Sequence, residues 1–235
     1  MVNGDTSTVH LDNLVRLDDD GLEQAMRNRL HSLSSVGPPI ERRGNEEYGF
    51  EWLSTIYQDA SPNLRTRMTV VMSKFIDELH DPQKWNEPAY VSLFGLLQTS
   101  GDGLVDKILT YVQNDELIKQ RGEGDGKDVH AGLVKALLAQ KYSGTPDFWE
   151  HQLDLLGEDY GALIFAGMEQ HGLDKAVGLL PRISKSDKAI DWMVPYLSVL
   201  YHNHGRDEIV LKFSSVLPQL SDYARRRFSE EFGNP

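Results

Sequence analysis

The spacing of apolar residues constrains this chain more than any other feature. Leu64, Met68, Val71, Met72, Phe75 and Leu79 recur at steps of three and four. That spacing gathers them on one face of a helix with 3.6 residues per turn. Leu22, Ala25, Met26, Leu30 and Leu33 repeat the pattern nearer the N-terminus. Further stripes run through 48–57, 90–97, 104–112, 129–138, 148–156, 163–168, 173–183, 190–200, 209–216 and 223–228. No segment alternates apolar and polar residues, with β-branched enrichment, between hairpin turns, so strands are not expected. The fold class read from this pattern is all-α, with about a dozen helices of ordinary length.

Start signals agree with the spacing. Ser61-Pro62, Glu87-Pro88 and Thr145-Pro146 put proline at the first helical position, where its missing N–H has no intrahelical partner to lose. Ser61 and Thr145 also carry hydroxyls able to accept from free first-turn amides. Pro195, inside the apolar stripe 190–200, is expected to kink or split that helix. Two segments read as connectors. Residues 35–45 (SVGPPIERRGN) hold two prolines and two glycines, and residues 122–127 (GEGDGK) are rich in glycine and charge. The second is not a phosphate loop: Asp128 stands where Ser or Thr is required, a helix precedes it, and Glu123 and Asp125 repel phosphate. It also lacks the regularly spaced oxygen ligands of a calcium loop. The first connector divides the chain into an acidic N-terminal helix and Pro/Gly loop, 1–45, and a helical domain, 46–235.

The chain resembles itself at an offset of 33. Aligning Gly172 with Gly205 sets Ile164 on Leu197, His171 on His204, Asp174 on Asp207, Ala176 on Ile209 and Leu180 on Phe213. Each copy reads as helix, glycine turn, then a helix opening with Asp. Residues 93–112, with Gly101, Gly103 and Asp106, and the stretch around Gly144 are looser versions. The glycines at 103, 144, 172 and 205 lie 41, 28 and 33 apart, an irregular period in the range of helix-pair repeats. A single helix pair cannot cover its own apolar faces, so such pairs stack. Gly95, Gly132, Gly167 and Gly178 fall inside the helical stripes, at a cost near 1 kcal/mol each against alanine. Close helix–helix approach would compensate. The pattern resembles the HEAT/armadillo-like α-solenoids, whose degenerate helix pairs often carry a proline bend in the first helix. The resemblance spans about residues 60–230. It implies stacked antiparallel helix pairs and a protein-binding role. A compact multi-helix bundle is the alternative arrangement.

Composition narrows function. The chain has 235 residues, no cysteine, and 24 Lys and Arg against 36 Asp and Glu, a net charge of −12. Without cysteine there is no disulfide, thiolate metal site or cysteine nucleophile. The acidity argues against direct nucleic-acid binding, which needs a basic face. The excess is spread out: residues 1–60 hold 11 acids and 5 bases, 61–140 hold 11 and 9, and 141–235 hold 14 and 10. The first residues lack the basic and apolar regions of an export signal. The longest apolar run, 90–97, is too short to cross a bilayer. A cytoplasmic protein is expected, with no membrane contact.

No motif carries catalysis. GxSxG and HExxH are absent, and the histidines (His10, His31, His80, His130, His151, His171, His202 and His204) show no ligand spacing. No catalytic residue, metal or cofactor is therefore expected. Arg225, Arg226 and Arg227 form the one dense basic cluster, expected to pair with Asp222, Glu230 and Glu231 on their own helix. Trp85, in the HDPQKWNEP stretch between helices, is expected to lie nearest the surface of the four tryptophans. Candidate partner-binding residues are Asp18, Asp19 and Asp20 before the first helix, Trp85, and the recurring Asp106, Asp174 and Asp207. Each aspartate also suits a helix start, where the positive end of the dipole favours it. The expected function is that of a non-enzymatic scaffold, inhibitor or adaptor whose acidic surface holds a basic protein. An enzyme or small-ligand protein with a pocket between helices, and a self-assembling structural subunit, are the alternatives.

Overall fold

The computed structural model describes residues 13–31 and 49–233, and all regular structure among them is helical. The connector 35–45, with Arg42 and Arg43, and His10 lie outside the described residues. The chain forms two compact units, dividing between Tyr142 and Ser143.

The first unit holds α1 (Asp19–His31), α2 (Gly49–Asp59), α3 (Pro62–Asp77), α4 (Glu87–Ser100), α5 (Val105–Val112), α6 (Glu116–Arg121) and α7 (Glu123–Ala139). The N-terminal helix is integral to it, because α1 packs on α2, α3 and α4. At the centre is α4, which touches α1, α2 and α7. It buries Tyr90, Leu93, Phe94, Leu96 and Leu97, more than one face of a helix. A helix apolar on several sides belongs in a core. The starts follow the side-chain chemistry. Ser61 Oγ accepts from Leu64 N–H at 3.4 Å, with Pro62 first in α3. For α4 the cap is Asn86, whose Oδ1 accepts from Ala89 N–H at 3.3 Å, and Glu87 rather than Pro88 is the first helical residue.

Residues 122–127 depart from the expected connector. Gly122 alone separates α6 from α7, and Glu123 to Lys127 form the opening of a 17-residue helix. Glu123 and Asp125 lie at its positive end, where the dipole favours them. Gly126 packs so closely on α6 that a Cβ there would lie 2.6 Å from the Ile118 backbone. The looser repeat at 93–112 does not form a pair of its own: α5 packs chiefly on α7 and α3.

The second unit holds α8 (Pro146–Leu156), α9 (Gly161–Glu169), α10 (Leu173–Gly178), α11 (Leu180–Ile183), α12 (Asp187–His204), α13 (Arg206–Val216) and α14 (Asp222–Phe232). Thr145 Oγ1 caps α8 by accepting from Phe148 N–H at 3.1 Å. Gly172 (φ +114°) turns the chain from α9 to α10, and Gly205 (φ +86°) turns it from α12 to α13. Side chains rarely adopt that left-handed backbone, so glycine marks both turns. Besides their own pairing, α9 touches α12 and α10 touches α13. First helices thus meet first helices, and second helices meet second helices. Three equivalent pairs share full burial, Ile164 and Leu197, Ala176 and Ile209, and Leu180 and Phe213, while Val177 and Ile183 are buried against half-buried Val210 and Val216. Pro195 does not split its helix, since α12 runs unbroken through 18 residues. Pro195 lies on the solvent side of α12.

Gly132 and Gly167 show why glycine recurs inside these helices. A Cβ on Gly132 would lie 2.2 Å from the Phe94 ring, and one on Gly167 would lie 2.3 Å from the Trp149 ring. Gly178, in contrast, has open space around it. Opposite outcomes are therefore expected for two identical substitutions. Gly167→Ala should lose about 1–3 kcal/mol by overpacking, despite alanine's better helix propensity. Gly178→Ala should be neutral or gain up to about 1 kcal/mol. Urea denaturation followed by circular dichroism checks this, and equal losses at both sites would refute the role of close approach.

Candidate functional site

The structure gives local partners to several of the expected partner-binding residues. Asp18 Oδ1 accepts from Gly21 N–H at 2.8 Å. Asp19 pairs with Arg67 at 2.7 Å, and the same guanidinium donates to the Leu17 carbonyl at 2.5 Å. Asp20 is exposed in the first turn of α1. Asp106 is exposed in the first turn of α5. Asp18, Asp19 and Asp20 stand together at the start of α1, and Asp106 stands at the start of α5.

Trp85 is the clear correction. It is fully buried. Its indole N–H donates to Glu78 Oε2 at 3.3 Å, and its ring lies 5.1 Å from those of Phe75 and His31. The surrounding turn is held from a distance. The Arg121 side chain, 1% exposed, donates to the Leu79 and Trp85 carbonyls at 2.5 and 2.8 Å. Asp81 Oδ1 accepts from Gln83 N–H at 2.9 Å within the turn. Arg27 closes the cluster: its guanidinium stands 4.7 Å from the Phe75 ring centroid and donates to Glu78 at 2.7 Å and Glu23 at 3.0 Å.

This cluster makes the first unit acid-sensitive. Hydrogen bonds from Lys74 and Arg27 hold Glu23 below the usual carboxylate range. Burial opposes ionisation of Glu78, but hydrogen bonding and charge from Arg27, with help from Lys84 and Trp85, outweigh it and hold Glu78 low too. Both carboxylates are depressed when folded. Their contribution is therefore complete above the unfolded value, about 4.3, and is lost as pH falls through the folded values. Glu78→Gln should be less stable than the parent chain at neutral pH, with the gap closing on acidification toward about pH 3. Denaturant titrations across that range check it. A gap that widens on acidification would contradict the assignment.

The solvent-facing tryptophan is Trp192, 65% exposed on α12. The sequence held its signal. Ile190, Met193, Leu197 and Leu200 form the buried stripe of α12, and Trp192 and Val199 lie off it.

Asp174 and Asp207, one repeat apart, open α10 and α13, which pack on each other. Lys212 of α13 donates to Asp174 across that contact, and the Glu208 charge acts on the same ammonium. The outer face of α13 is exposed at Asp207, Glu208, Leu211, Ser214 and Ser215. Leu211, at 70%, is the most exposed large apolar side chain among the described residues. The arrangement is an aliphatic side chain one helical turn from two acids, with a third acid on the neighbouring helix.

The histidines do not converge. His171 Nε2 bonds the Ser143 carbonyl at 2.9 Å, His202 is exposed, and His204 Nε2 lies 2.7 Å from Glu169 Oε1. Glu169 also accepts from Tyr196 Oη at 2.5 Å and Asn203 Nδ2 at 3.3 Å. Burial and that carboxylate raise the Tyr196 phenol above its ordinary value. The donors on Glu169 all come from α12, so the carboxylate ties α9 to that helix. Among the described residues no group of three His, Asp or Glu is placed to hold a metal ion. No helix among them is long and apolar enough to cross a membrane. The arginine cluster pairs largely as expected: Arg225 with Asp222, Arg227 with Glu230 and also with Asp191 of α12, while Arg226 lies 5.5 Å from the Tyr223 ring centroid.

No family model matches the chain, and no curated protein or solved structure is found to be similar to it.

Proposed function

We propose that this chain is a non-enzymatic, cytoplasmic binding protein, a HEAT/armadillo-like α-solenoid whose acidic surface holds a basic protein partner. The pairing of α9 with α12 and of α10 with α13, at the offset of the internal repeat, supports the solenoid reading. One observation carries the binding reading: Leu211, 70% exposed, on the α13 face that also bears Asp207 and Glu208 and neighbours Asp174. An apolar side chain held in water costs free energy that a partner would recover. The surrounding acids select a partner carrying lysine or arginine, and they speed its approach through long-range attraction. Residues 143–235 hold fourteen acids against nine bases, so the local field has the same sign as the chain's net charge.

The test uses a defined probe, an amphipathic peptide with leucines on one face and lysines beside them. Isothermal titration should give binding that weakens by about tenfold or more between about 0.05 and 0.5 M salt. Asp207→Asn combined with Glu208→Gln should weaken it and flatten the salt dependence, and Leu211→Ser should weaken it without flattening the dependence. Equal affinity for a glutamate-substituted version of the peptide would sink the reading.

A further inference from the structure

A second surface of this chain has a different character. Along α12, Lys188, Trp192, Pro195, Val199 and His202 follow one another at steps of four, three, four and three, and all five are exposed. That is the spacing of a helix–helix seam. Its apolar members stand well out of the fold, Trp192 by 65% and Val199 by 43%. The acid beside Trp192 is already engaged within the unit. Asp191 accepts from Tyr223 Oη at 2.6 Å and lies 3.6 Å from the Arg227 guanidinium. Lys188 Nζ rests 5.4 Å from the Tyr160 ring centroid. Unlike the α13 face, this seam offers a basic partner little to bind.

The seam instead complements itself. Its N-terminal end carries exposed Lys188 and the positive end of the α12 dipole. Its C-terminal end carries His202 and the negative end. Trp192 and Val199 lie at near-equal distances on either side of Pro195. Rotated half a turn about an axis near Pro195, a second α12 sets Trp192 over Val199, and Lys188 toward the negative end of its partner's dipole. We propose that this seam is the interface of a two-fold homodimer of the chain, with antiparallel α12 helices. Such an isologous contact closes on itself, so it yields pairs, not fibres.

Size and charge set its strength. The helix is 18 residues, about 27 Å long. A seam one helix wide falls below the roughly 1,200 Å² of a standard interface, so the dimer belongs to the weak class. Each copy carries −12, and that repulsion opposes pairing unless salt screens it. Salt should therefore strengthen the dimer, the opposite of its expected effect on a basic partner. The inference rests on a different face from the binding reading above, and either can fail alone.

Sedimentation of the full chain at about 1 mM, at about 0.05 and 0.5 M salt, tests it. A monomer–dimer equilibrium is expected, with the dimer favoured at the higher salt. Trp192→Ser and Val199→Ser should each weaken association at least tenfold while leaving the helical circular dichroism unchanged. Asp207→Asn with Glu208→Gln should leave the contact intact. Because the chain has no native cysteine, single cysteines report the geometry. Pro195→Cys should cross-link two copies on oxidation. Lys188→Cys should not, since antiparallel pairing sets its copies about 20 Å apart along the helix. A monomer at both salt concentrations, association untouched by Trp192→Ser, weakening by salt, or equal cross-linking at both cysteines would each overturn the proposal.

Discussion

The second unit depends on the contact between the Trp149 ring and the bare backbone of Gly167. Trp149 is fully buried, and its indole N–H donates to the Ser143 carbonyl at 2.6 Å, so the ring is fixed at both ends. With no side chain at Gly167, α8 lies directly against α9. Two residues earlier on α9, Phe165 meets Tyr196 of α12 and Phe213 of α13, at centroid distances of 6.4 and 6.0 Å. Phe213 continues to Phe228 and Phe232 of α14 at 5.3 and 5.9 Å. A chain of aromatic contacts therefore runs from α9 to the last helix. Aromatic pairs at these separations add to their area burial, and the chain starts on α9, the helix whose Gly167 admits Trp149.

The first unit solves the same packing problem with a charge. Its core needs Trp85 inside, yet Trp85 sits in a turn between helices whose carbonyls would be left without partners once buried. Arg121 supplies those partners while itself nearly inaccessible to water, and Asp125 neutralises it at 2.7 Å. Burying a guanidinium is costly unless it is paired and fully hydrogen-bonded. This one is paired with Asp125, and Nε, Nη1 and Nη2 each donate a hydrogen bond; the helical first turn of α7 places Asp125 four residues from Arg121.

That explains what could and could not be read beforehand. Helix existence, the Ser61 and Thr145 caps and the turns at Gly172 and Gly205 were legible because they are local: spacing, a hydroxyl, a residue without Cβ. The burial of Trp85 was not, because it depends on Arg121, 36 positions away, and sequence neighbours describe only the turn. The opening of α7 was misread because GEGDGK has loop composition. Its acids serve the dipole, and Gly126 serves the contact with Ile118. Trp192 was legible in principle, because it falls between Ile190 and Met193 but off their face. The expectation that Trp85 lies nearest the surface passed over it. The Asp174–Lys212 link was half legible: the repeat gave both helix starts, and only packing placed them side by side.

The net charge of −12 takes on a structural meaning from this arrangement. Many acids are spoken for: Asp19 by Arg67, Glu78 by Arg27, Asp191 by Tyr223, Glu169 by three donors from α12. An ion pair on the surface contributes little to stability, but it removes a charge from the field a partner meets. What remains unneutralised is uneven. On α13 Arg206 and Lys212 match Asp207 and Glu208 in number, but Arg206 donates to the Phe232 carbonyl and Lys212 to Asp174, so Asp207 and Glu208 face outward beside Leu211; on α12 the acid beside Trp192, Asp191, is engaged. Two apolar side chains on adjacent helices thus stand in opposite electrostatic settings. Salt distinguishes the settings because screening weakens attraction between unlike surfaces and relieves repulsion between like ones.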